Sequence, residues 1–115
     1  GQVLDRVMAG AAAFAYKLEY LTWNEPTETP LDHPLVETLK RNIRDVGNRE
    51  PEVWGPPYGC DMRNFVYDAG IPTTNFGAGD YRVCHRPDEF VNIDDLLACA
   101  RIVLGTTFDL LNEAT

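Results

Sequence analysis

His85 is the residue here best suited to metal chemistry. It follows the glycine-rich turn Phe76-Gly77-Ala78-Gly79, and acids lie on both sides of it: Asp80 before, Asp88 and Glu89 after. Imidazole is a good ligand for zinc or manganese, and nearby carboxylates can orient it. Gly77 and Gly79 lack a β-carbon, so the backbone of that loop can come close to a ligand. The bland alternative is a solvated loop histidine, and the residues by themselves leave both readings open. Cys84, next to His85, suggests a thiol with its base, but neighbouring side chains of an extended segment point to opposite faces. Cys60, Cys84 and Cys99 are odd in number and have no close Cys-x-x-Cys pair. That argues against a disulfide framework or a zinc knuckle, and is compatible with a reducing cytoplasm.

The elements that must position these residues follow from periodicity. Val3, Leu4, Val7, Ala11 and Phe14 recur at helical spacing, so 2–14 is expected to be a helix. Tyr16, Leu18 and Tyr20 alternate with Lys17 and Glu19, the pattern of a strand with one wet face. Residues 23–34 carry prolines and acids without apolar period, so they form a linker. Asp32-His33-Pro34 is the expected start of a helix, with Asp32 as its cap. His33 could serve as a second metal ligand or simply be an exposed residue at that start. Leu35, Leu39, Ile43 and Val46 share one face of the predicted helix 35–46, which Gly47 should end.

Short strands are expected at 52–54 and 72–76, and a helix at 60–69, closed by Gly70, with Phe65, Val66 and Ala69 buried. Asp61 falls in its first turn, where a carboxylate suits the helix dipole. Asn92 should cap a final helix, 93–111, with Asp94 and Asp95 in its first turn. Ile93, Leu96, Leu97, Ala100, Val103, Leu104, Phe108 and Leu111 form its broad apolar face. Gly105 in mid-helix predicts a close neighbour.

The formal charge of −8 argues against nucleic acid and anionic membrane surfaces as partners. No apolar run is long enough to span a bilayer, and no signal peptide is visible. The chain shows no internal repeat.

Asp61-x-Arg63, Gly70-Ile71-Pro72, Phe76-Gly77-x-Gly79 and His85-x-Pro87-Asp88-Glu89-Phe90 occur in that order within residues 55–111. This run resembles the C-terminal end of the acetylornithine deacetylase, succinyl-diaminopimelate desuccinylase and aminoacylase family, metallopeptidases with two co-catalytic metals. The resemblance implies an α/β fold, the C-terminal fragment of a zinc-peptidase-like catalytic domain. Before it would come the last helix and strand of a ferredoxin-like lid, or dimerisation, domain. Residues 1–22 would end the lid, 23–34 would be the linker, and 35–115 would belong to the catalytic domain.

It also implies His85 as a metal ligand. Arg63, with Asp61, Gly77 and Gly79, would face the substrate, the planar guanidinium matching its carboxylate. A solvated helix arginine is the other reading of Arg63. The family often has Ser or Thr at the position of Cys60 and Pro at that of Ala78, so a hydrogen bond from residue 60 is left open. The implied reaction is hydrolysis of an N-acyl amino acid. Two ions, zinc or else cobalt or manganese, would activate a bridging water. The family's His-x-Asp and Glu-Glu motifs are missing from this sequence. The chain alone is therefore expected to be inactive, to bind little metal, to expose apolar surface, and to form homodimers or self-associate. A non-catalytic small-molecule-binding or assembly module of the same fold is the alternative.

Overall fold

The structure, a computed structural model, describes residues 25–113 together with Arg6, Ala9, Glu19 and Leu21. The expected helix 2–14, the strand 16–20 and the division at residue 22 therefore lie outside the described residues, those four positions apart.

Helix α1 spans Pro34–Asp45. Its cap is His33, not Asp32: His33 Nδ1 accepts from the Leu35 N–H at 3.2 Å. Pro34 has no donor and takes the first helical position, which fixes the cap one residue later than expected. The His33 N–H closes the preceding turn onto Pro30 O at 3.0 Å. At the other end, Asn48 and not Gly47 takes the left-handed conformation, with φ 50°. Its N–H returns to Arg44 O at 3.0 Å, satisfying an orphan carbonyl. Gly47 is needed for space instead. A β-carbon there would lie 2.8 Å from Ile102 Cδ1.

Helix α2 spans Ile93–Glu113, and Asn92 caps it, accepting from the Asp94 N–H at 2.8 Å. It packs on α1. The contact face carries Ile102, Gly105, Thr106 and Asp109, with Ile102 and Thr106 buried. This is opposite to the broad apolar face of the same helix, which stands exposed. Ile93 and Leu104 are each 72% exposed and Phe108 67%. The reason is steric and polar together: Gly105 lets α1 approach, and Asn42 enters the gap. A β-carbon at 105 would fall on Asn42 Oδ1. Buried polar groups at this contact are satisfied, as they must be. Asn42 Nδ2 donates to Thr38 O at 3.1 Å and to Asp109 Oδ2 at 2.8 Å, and Thr106 Oγ1 donates to Ile102 O at 2.8 Å. Arg41 closes the edge on Asp109 and Glu113, at 3.2 and 2.8 Å.

Between the helices the chain is mostly irregular. The predicted helix at 60–69 is present over 62–68, wound as a π-helix over Asn64–Asp68. Gly70 ends it in the left-handed region, at φ 65°. Phe65 and Ala69 are exposed rather than buried. Residues 52–54 and 72–76 form no strand, and none is found among the described residues. One hydroxyl does for 72–76 what a ladder partner would: Thr29 Oγ1 donates to Thr73 O at 2.6 Å and accepts from the Thr73 N–H at 3.2 Å. Thr29 is buried. Tyr67 Oη adds a bond to Pro26 O at 3.3 Å, so the linker is pinned at two points.

Candidate functional site

The glycine loop and the residues after it line an open cavity of about 1240 Å³. Its wall includes Gly77, Gly79, Cys60 and Asn75, together with Trp54 and Tyr81. Gly79 has φ 101°, a conformation that L side chains rarely adopt, so glycine is required there. Gly77 has no such constraint, and a β-carbon on it would meet open space. Asn75 Nδ2 donates to Cys60 Sγ at 3.0 Å, so the thiol keeps a polar contact with the strand-like segment.

The backbone leaving Gly79 turns sharply, and Asp80 holds the turn. Its Oδ1 accepts from the Arg82 N–H at 2.9 Å and caps the short 3₁₀ turn Tyr81–Val83. The Arg82 guanidinium also closes on it, at 2.6 Å through Nη2. The Arg82 side-chain hydrogen bonds, then the bond from its backbone N–H, lower the Asp80 carboxyl to about 2. The turn then delivers His85.

His85 is exposed and left-handed, at φ 59°, as is Asp88 at φ 62°. The His85 N–H donates to Glu89 Oε2 at 3.0 Å. Glu89 thus braces the corner through the backbone. The ring stays out in solvent, beside the cavity whose wall includes Cys84 and Glu89. As a lone donor it makes no metal centre. Among the described residues no three His, Cys, Asp or Glu side chains are grouped to hold an ion. His33 is occupied as a helix cap.

Arg63 and Asp61 do not reach the cavity wall. Asp61 is exposed, and its carbonyl accepts from the Asn64 N–H at 3.0 Å. Arg63 is half-buried, with Nη1 donating to Asn64 Oδ1 at 3.1 Å. Its Nε is buried and has no partner, leaving one donor unspent. The structure therefore brings Gly77 and Gly79 together with Cys60, and places His85, Arg63 and Asp61 outside that group. The sequence reading missed the Trp54–Tyr81 pair, whose ring centroids are 4.8 Å apart at 46°. Its only signal was a tryptophan in a segment rich in proline and glycine.

The family model for peptidase family M20/M25/M40 matches residues 2–108. No curated protein and no solved structure matches the chain at a significant level. The chain belongs to peptidase family M20/M25/M40.

Proposed function

We propose, from membership of this chain in peptidase family M20/M25/M40, that it is the C-terminal part of a metal-dependent amidohydrolase acting on N-acyl amino acids. Within that family the His-x-Pro-Asp-Glu-aromatic run, His85 to Phe90, is most similar to acetylornithine deacetylases. The α/β catalytic domain, the lid that ends near residue 22, and a cytoplasmic dimer belong to the same proposal.

The observation that carries this reading is the corner at His85. The imidazole stands exposed on a left-handed residue whose N–H is tied to Glu89. The Asp80–Arg82 pair fixes the turn before it. An imidazole presented this way can enter a ligand set completed by residues outside those described here. Single ligands do not hold catalytic metals, which need several converging donors. The chain alone is therefore inactive. Arg63 is the residue proposed to bind the substrate's carboxylate, through the planar fork of its guanidinium.

Two measurements test this. Zinc titrated into the chain alone should give no tight heat signal; sub-micromolar binding that His85→Ala removes would overturn the assignment of the chain as one part of the site. The intact gene product, supplied with zinc or cobalt, should release acetate from N-acetyl amino acids. His85→Ala should lower its kcat by at least about a hundredfold, as expected for loss of a metal ligand. Undiminished turnover would reject His85 as a ligand.

A further inference from the structure

The cavity beside the glycine loop has a wall that neither the family membership nor the hydrolase reading uses. Trp54 and Tyr81 are half exposed on it, at 50% and 52%. Their rings are tilted and close, so they form a corner of π surface. Tyr58 and Phe90 line the same cavity. Aromatic faces carry partial negative charge and attract cations, tryptophan most strongly.

The charges around this wall are unequal once their partners are counted. Arg82 is spent on Asp80, at 2.6 Å. Glu50 is met by Arg44, at 3.3 Å. That leaves Glu52 and Glu89 against Arg49 among the ionised side chains lining the cavity. Glu89 accepts one backbone N–H, which does not cancel its charge. The local balance is negative, and the chain's charge of −8 draws cations towards it.

We propose that this cavity is a binding site for a quaternary ammonium group. The group would seat on the Trp54–Tyr81 corner, with Glu52 and Glu89 neutralising it. A quaternary ammonium fits better than a metal ion or a primary amine. It has no N–H to satisfy, its charge is spread over methyl groups, and it loses little by leaving water for an aromatic wall. Bare metal ions need grouped donors, which the described residues do not supply. The aromatic corner does not rest on the hydrolase reading, since it uses neither His85 nor Arg63; Glu89 is shared, because it also accepts from the His85 N–H.

The test compares choline with its neutral isostere, 3,3-dimethyl-1-butanol, on the whole chain. Binding is followed by the indole N–H signal of Trp54, assigned with Trp54→Phe. Choline should saturate that shift with an affinity about tenfold higher than the alcohol, the range expected of a cation on an aromatic face. Trp54→Ala removes that reporter, so its binding is read from the backbone N–H signals of Tyr81 and Glu89 on the same wall; choline should no longer shift them, while the signals of α1 and α2 stay in place. The Glu52→Gln, Glu89→Gln double variant should weaken binding about threefold, as for exposed charge pairs. Equal affinity for the alcohol would show only an apolar cavity and overturn the proposal. So would choline binding that survives Trp54→Ala or is unchanged in the double variant.

Discussion

Asn42 Nδ2 donates to Asp109 Oδ2 at 2.8 Å, joining the last third of α1 to the last third of α2. The same side chain turns its Oδ1 to the backbone of Gly105. Substituting Gly105→Ala would normally stabilise a helix interior by about 1 kcal/mol. Here the added methyl group meets Asn42, and overpacking costs about 1–3 kcal/mol. Gly105→Ala should therefore lower the urea midpoint of the chain. Removing the obstructing amide as well, in Asn42→Ala with Gly105→Ala, should show strong non-additivity.

The Asp109 carboxyl is held below its ordinary range, first by the Asn42 amide and then by the Arg41 guanidinium. A depressed carboxyl stabilises the fold above its unfolded value, about 3.9, and loses that contribution as pH falls through the lower, folded value. The contact of α1 with α2 should thus loosen on acidification below about pH 4. Asp109→Asn should flatten that part of the profile, read by near-neutral and acid urea melts.

Asp80 gives a local test in the same direction. Its carboxyl is lowered to about 2 by Arg82. Carbon-detected titration should find Asp80 still ionised at pH 3. Arg82→Ala should return it towards about 3.9, the value of a free aspartate. The signals of Tyr81 and His85 should then begin to shift between those two values, as the turn loses its clasp.

His33→Ala removes the acceptor that caps α1. The expected loss is about 1 kcal/mol, the usual cost of deleting a cap. His33→Asn should keep most of the stability, since asparagine is a favoured cap. Equal stability of the alanine variant in a urea melt would show that the cap contributes nothing.

The sequence revealed more of the local chemistry than of the packing. Helix limits at Pro34 and Asn92 were legible because capping depends on a few adjacent residues. The close neighbour at Gly105 was legible for the same reason, but its identity, Asn42, depends on a distant segment. The outward turn of Leu104 and Phe108 could not be read from periodicity. A helical pattern shows which face is apolar, not which face finds a partner. Gly47 shows a second limit: glycine was expected to supply left-handed backbone, and it supplies room beside Ile102 while Asn48 makes the turn. At the site, Gly79 was legible from its motif. The Trp54–Tyr81 pair was not, because the two residues are far apart in the chain and meet only through the fold.

Gly47 and Gly105 sit on opposite sides of one seam: Ile102 fills the notch left by the first, and Asn42 the notch left by the second. Such a double key admits only one alignment, since sliding either rod lengthwise drives a bulky group into backbone. The two helices are thereby set in one register by two small residues and the side chains that occupy the room they leave.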